Sequence, residues 1–240
     1  MLVTSLLRGE GREVFMETNR TNRHFTRLLA SLACVLAVLF LSGCQTTQTF
    51  RLPRGLQPAG DFDTVVIDAG HGGHDSGARA VTGAPEKQLA LDTARRVSRI
   101  LRASGLSVVE TRSGDYFIPL DRRVATSNKL RNVVFVSIHY NWVKRSKPSG
   151  VETFYYGPRS SRLAANIQRE VVRDSGSLNR GIKYRGFYVL KNNKRPAVLC
   201  ELGFVSNPSE NRKVQTAVVR QRLAEAVARG ILAEKAGRNP

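Results

Sequence analysis

Apolar residues in this chain fall in short unbroken runs, separated by longer stretches in which they recur every three or four positions. The runs Thr64 to Ala69 (TVVIDA), Val133 to Ile138 (VVFVSI) and Ala197 to Cys200 (AVLC) lack the alternation of a half-solvated strand. They predict strands buried on both faces, as in a parallel sheet. Further strands are read near 106–111, 150–156 and 186–190, and helices near 86–104, 119–129, 160–175 and 213–235. In the first helix Ala90, Thr93, Ala94, Val97, Ile100 and Leu101 form one stripe, with Arg95, Arg99 and Arg102 opposite. Pro85 precedes that helix and Gly105 follows it, the usual start and stop asymmetry. In the last helix Val214, Ala217, Val218, Ala224, Val227, Ala228 and Ile231 keep helical spacing and predict packing on the sheet. Alternating strands and helices predict an α/β domain, a three-layer sandwich with a mostly parallel central sheet of about six strands flanked by helices.

The three buried runs each end in a side chain that can bind metal or move a proton. The first breaks into Gly70-His71-Gly72-Gly73, the second delivers His139, and the third delivers Glu201 before the loop from Gly203 to Pro208. Ligands of open α/β sheets bind outside the carboxyl ends of such strands, so these three groups converge on one rim. Glu86 projects from the middle of the apolar stripe of helix 86–104. A carboxylate there is either a helix-dipole contact, worth about 0.3–1 kcal/mol, or a buried charge whose cost a cation removes. Two strand-end histidines on the same side favour the cation. Beyond residue 43 the chain has three histidines, His71, His74 and His139, and two of them fall at the proposed rim. The pattern by itself reads as a metal hydrolase.

The strings VVIDAGHGGHDSGA (65–78), GAPEKQLALD (83–92), VVETR (108–112), FVSIHYN (135–141), GVETFYY (150–156), NRGIK (179–183) and AVLCELGFVSNPSE (197–210) resemble the zinc-dependent N-acetylmuramoyl-L-alanine amidases of the type-3 amidase family. The resemblance spans about residues 64–236 in order and spacing. It implies that His71, Glu86 and His139 hold one zinc per chain and that Glu201 is the catalytic acid/base. It further implies a hydrolase that cuts the amide between N-acetylmuramic acid and L-alanine of peptidoglycan. Zinc with three protein ligands keeps a fourth position open for water. Asp68 and Asp75 are both candidates to fix an imidazole tautomer. His74 has no counterpart among the family's ligands. Cys200, beside Glu201 on a strand, points to the opposite face and reads as a small buried residue. Arg112 ends a strand, where its fork suits either a substrate carboxylate or an ion pair that organises the loop. Asn141, Asn179 and Arg180 are further candidate substrate contacts; segments 179–183 and 191–193 are candidates to line the cleft, with solvated loop as the default. Some members of this family carry an inserted helix that blocks the cleft. Here Asn141 to Tyr188 is accounted for by a strand, one helix and a loop, which predicts a monomer with an open cleft that needs no activator protein.

The amino-terminal region supplies an expectation about compartment. Leu28 to Leu41 is an apolar stretch preceded by Arg20, Arg23 and Arg27, fitting a signal-peptide core and short for a spanning helix. It ends in Leu41-Ser42-Gly43-Cys44, which resembles a bacterial lipobox. The domains expected are a lipoprotein signal (1–43, with 1–15 upstream of a start at Met16), a lipidated Cys44 and tether (44–62), the catalytic domain (63–236) and a tail (237–240). The alternative is a retained anchor helix, and either puts the domain outside the cytoplasm. Gln45 after the cysteine favours outer-membrane sorting, facing the periplasm. The formal net charge is +19, and +17 without residues 1–43, which in an exported chain points to envelope polyanions and peptidoglycan rather than nucleic acid. With Cys34 and Cys44 in the amino-terminal region, Cys200 stands alone and no intrachain disulfide is expected. Two other readings stay open: a zinc peptidase or deacetylase acting elsewhere on the wall, and a non-catalytic wall-binding lipoprotein.

Overall fold

The structure, a computed structural model, describes residues 55–56, 58–238 and 240. The expected signal segment, Cys44 and residues 44–54 of the expected tether lie outside the described residues. Six strands form one sheet: β1 (Thr64–Ala69), β2 (Ser107–Glu110), β3 (Val133–Asn141), β4 (Val151–Tyr155), β5 (Asn179–Tyr184) and β6 (Ala197–Phe204), in the order β2-β1-β3-β6-β4-β5. β2, β1, β3 and β6 are mutually parallel, while β4 pairs antiparallel with β6 and carries β5 parallel to itself.

The unbroken apolar runs become the three central strands because both of their faces are covered. Val65, Ile67 and Ala69 of β1, with Val134, Val136 and Ile138 of β3 and Val198, Cys200 and Leu202 of β6, enter one apolar cluster. That cluster is shared with α1 (Glu86–Ala103), α3 (Ser161–Ser175) and α6 (Ala217–Lys235). The intervening residues Val66, Phe135 and Leu199 enter a second cluster with Val124 of α2 (Leu120–Asn128) and Val189 and Leu190 of α4 (Tyr188–Lys191). Helices thus lie on both faces, the expected three-layer α/β architecture. On the thicker face α6 approaches α3 so closely that a Cβ on Gly230 would stand 2.4 Å from the Ile167 Cα. Among the described residues no helix is long and apolar enough to cross a membrane.

Three elements differ from the sequence pattern. Residues 186–190 do not form a strand: consecutive Val189 and Leu190 are buried together in the helical turn α4, while Phe187 and Tyr188 are exposed. The sixth strand is instead β5, which is mostly polar and has no fully buried residue, so its apolar signal is weak. Residues 141–188 consequently contain two strands rather than one. The final helix is also broken, into α5 (Pro208–Val214) and α6. Asn207 caps α5 by accepting from the Ser209 and Glu210 N–H groups, and the Thr216 side chain accepts from Val219 N–H to start α6.

Candidate active site

The loop after β1 is shaped by glycines and held by arginines. A Cβ on Gly70 would stand 2.3 Å from the His139 ring, and one on Gly77, at φ +63°, would stand 2.6 Å from His71 and 2.7 Å from Glu86 Oε2. Only glycine leaves room there for the two imidazoles and the carboxylate to close on one another. His71 itself has φ 59°, a left-handed conformation that costs a non-glycine residue about 1–3 kcal/mol and persists only where surrounding contacts enforce it. Those contacts come from two buried guanidinium groups. Arg112 donates to the carbonyls of Ala69 (2.9 Å), Gly70 (2.7 Å), Lys87 (2.8 Å) and Gly114 (2.9 Å). Arg123 donates to the carbonyls of Ala69 and His71, both at 2.7 Å, and to Asp68 Oδ1, also at 2.7 Å.

Glu86 is delivered by the first turn of α1. Its Oε2 accepts from Ala78 N–H at 2.7 Å, and its Oε1 accepts from Tyr140 N–H at 3.0 Å. That Oε1 lies 2.9 Å from His139 Nδ1 and 3.2 Å from His71 Nε2. One ligand atom from each of His71, Glu86 and His139 falls within 4.8 Å of the others. Burial works to raise the Glu86 carboxyl, but hydrogen bonds and charge from His139 and His71 prevail and hold it well below the ordinary range. Burial opposes protonation of His71, yet Glu86 and Asp75 outweigh it and raise that imidazole. Asp75 Oδ2 lies 2.8 Å from His71 Nδ1, and its Oδ1 accepts from Gly77 N–H at 3.0 Å, so Asp75 orients the ring and leaves Nε2 facing Glu86. Asp68 does not share that task. Its carboxylate is taken by Arg123, Thr111 and Ser137, and these overcome its burial and keep its pKa low.

Glu201 sits one strand away from His139, its direct partner in the β3–β6 register. β6 continues to Phe204, so Glu201 lies within the strand rather than at its end. Its Oε2 is buried with no hydrogen-bond partner. Burial first, and then the charges of Glu86 and Glu152, push this carboxyl well above its ordinary value. Cys200 points the other way, fully buried, and burial pushes its thiol up to about 12.

His71, Glu86, His139, Asn141 and Glu201 all line one cavity of about 650 Å³. Arg112, Asn179, Arg180 and His74 are not in its wall. Asn179 Oδ1 accepts from Gln168 Nε2 and Gly181 N–H, and Arg180 Nε donates to Glu152 Oε2 at 3.2 Å. His74 rests against the Phe117 ring, with centroids 4.3 Å apart. The pattern missed Glu152, which is 4 % exposed, pairs with Glu201 across β4–β6 and accepts from Asn141 Nδ2 at 2.7 Å. It also missed the aromatic wall of Phe117, Trp142, Phe187 and Tyr188, which leaves no periodic trace because each residue sits in a loop or a short turn. Among these, Trp142 lies three residues past His139 and offered the clearest signal.

Two imidazole nitrogens and a carboxylate oxygen converging beside a buried, unpaired carboxyl suit zinc in its hydrolytic form. Residues 65–233 match the family described as N-acetylmuramoyl-L-alanine amidase. Over 169 residues the chain is 40% identical to the N-acetylmuramoyl-L-alanine amidase LytC of Bacillus subtilis, spanning 69% of this chain and 34% of LytC. It is 41% identical to the B. subtilis protein YqiI over 172 residues, 82% of that protein. The catalytic domain of CwlV, an N-acetylmuramoyl-L-alanine amidase from Bacillus (Paenibacillus) polymyxa var. colistinus, superposes with a TM-score of 0.70 at 37% identity, covering 73% of this chain and 99% of that domain. The chain therefore belongs to the N-acetylmuramoyl-L-alanine amidase family.

Proposed function

We propose that this protein is a zinc-dependent peptidoglycan hydrolase that cleaves the amide between the lactyl group of N-acetylmuramic acid and L-alanine. The observation that carries this reading is the convergence of His71, Glu86 and His139 within 4.8 Å, beside a Glu201 carboxyl whose Oε2 has no partner. His71, Glu86 and His139 would hold the ion, with Asp75 fixing the His71 ring. When bound, zinc lowers the pKa of a coordinated water and polarises a carbonyl oxygen. Glu201 Oε2 takes the proton of the attacking water as its oxygen adds to the amide carbon. The same oxygen returns that proton to the departing alanine nitrogen as the C–N bond breaks. A raised pKa suits both halves of that exchange near neutrality. The aromatic wall and Asn141 orient the substrate.

The reading extends to compartment and regulation. The lipobox-like Leu41-Ser42-Gly43-Cys44 supports export and lipid anchoring at Cys44, on the periplasmic face of the outer membrane. A cavity open to solvent supports action without an activator protein, and we propose that the chain acts as a monomer. Digestion of purified sacculi by the purified chain, followed by mass analysis with and without chelator, tests the reading. Intact stem peptides beginning with L-alanine are expected, and only without chelator. Peptides cut internally, or deacetylated sugars with stems attached, would overturn it.

A further inference from the structure

We propose that a tyrosine ladder at the outer edge of the sheet is a glycan-binding platform joined to the catalytic cavity by the Phe187–Tyr188 segment. This rests on the peptidoglycan reading above and extends it from the cleaved bond to the sugars that flank it. β4 ends in Tyr155 followed by Tyr156, and Tyr184 at the end of β5 is the register partner of Tyr155. The Tyr184 ring stacks on Tyr156, with centroids 4.9 Å apart and planes at 26°, and meets Tyr155 edge-on at 5.8 Å. Tyr156 packs against one core cluster and Tyr155 against the other, so Tyr184 is fixed from below. Tyr184 is nevertheless 55% exposed. A flat aromatic face that is already immobilised loses little freedom when it binds.

The position of this face gives its ligand. From Tyr184 the chain runs through Arg185 and Gly186 to Phe187 and Tyr188, and these last two line the cavity. Phe187 is held edge-on against Phe154, with centroids 5.0 Å apart. Four residues of separation span at most about 14 Å, so the platform and the cavity lie within the reach of a few sugar units. Pyranose rings present C–H faces that stack on aromatic rings and polar rims that stay in water. An N-acetylated sugar chain longer than the reacting unit fits a surface with aromatics at both ends. Arg185 and Lys191 are exposed beside it and suit the carboxylates of the attached stems. Single-stranded nucleic acid also stacks on aromatics beside cations, but it has no reason to continue into a cavity lined by the metal-binding residues.

The test uses the full chain with Tyr184→Ala and Tyr184→Trp. Three measurements are made: co-sedimentation with purified sacculi, binding of a single-stranded oligonucleotide, and kinetics on long glycan strands against a soluble single-unit muramyl peptide. Tyr184→Ala should lower sacculus affinity and kcat/KM on long strands by about five- to tenfold, the cost of losing an aromatic anchor. Its kcat/KM on the single unit should equal that of the parent, and Tyr184→Trp should keep the parent's behaviour on both. Equal losses on both substrates, no loss on either, or loss of oligonucleotide binding with sacculus binding unchanged would each overturn the platform. If the parent cleaves neither substrate, the amidase reading fails, and the platform is judged by sedimentation alone, where Tyr184→Ala must still lose binding.

Discussion

At the scale of single residues, the candidate site keeps a buried carboxyl without a hydrogen-bond partner at Glu201, at a cost in stability. A carboxyl whose folded pKa lies above its unfolded value binds more protons folded than unfolded, so stability falls as pH rises between those two values and stays lowered above them. Glu201→Gln removes that penalty. In chelated protein the variant should melt at a higher temperature than the parent at neutral pH, and the difference should shrink as the pH falls toward the ordinary carboxylate range. With zinc restored, the variant should bind the ion normally and hydrolyse peptidoglycan about 10²–10⁴-fold more slowly, the usual contribution of a general acid/base. Asp75 makes the complementary prediction. Asp75→Ala releases His71 Nδ1 and should weaken zinc about 10- to 100-fold in a competition titration, leaving the Glu201-dependent step intact once zinc is saturating. The principal residues are legible in the sequence because each stands where an apolar run breaks or a helix begins. Which of Asp68 and Asp75 orients a histidine is not legible, since it depends on where Arg123 arrives from 55 positions away.

At the scale of elements, the closeness of neighbouring backbones decides what can change. Gly230 allows α6 to lie against α3, and its missing Cβ would meet the Ile167 backbone at 2.4 Å to the Cα and 2.7 Å to the nitrogen. Backbone cannot yield as a flexible side-chain tip can. Gly230→Ala should therefore lower stability by about 1–3 kcal/mol, as overpacking does, read as a fall in the denaturant midpoint. Its kcat should not change, because Gly230 takes no part in the cavity wall. β1, β3 and β6 are readable in advance because burial on both faces forces apolar residues at consecutive positions. β5 is not, because an edge strand with partly buried residues such as Asn179, Arg180 and Lys183 is indistinguishable from a polar loop. The turn α4 misleads for the opposite reason. Its Val189 and Leu190 are apolar and adjacent, like a buried strand, yet both face the same core cluster, which the alternation of a strand does not permit.

At the scale of the whole molecule, the candidate metal site ties together parts that the sheet alone leaves independent at its rim. His71 comes from a strained loop, Glu86 from the first turn of α1 and His139 from the middle strand. An ion bound to all three exists only in the folded chain, so its binding free energy adds to folding stability as RT ln(1 + [Zn]/Kd), about 4.1 kcal/mol at a thousandfold excess over Kd. The melting temperature should rise with the logarithm of free zinc and fall on addition of chelator. Glu201→Gln should show the same zinc dependence as the parent, since Glu201 is outside the ligand set. Asp75→Ala should need about 10- to 100-fold more zinc to reach the same melting temperature. A melting temperature indifferent to zinc, measured on protein first stripped of metal, would mean that these three residues do not hold the ion. The acidic pairing of Glu86 with two histidines would then have to stabilise the loop by itself.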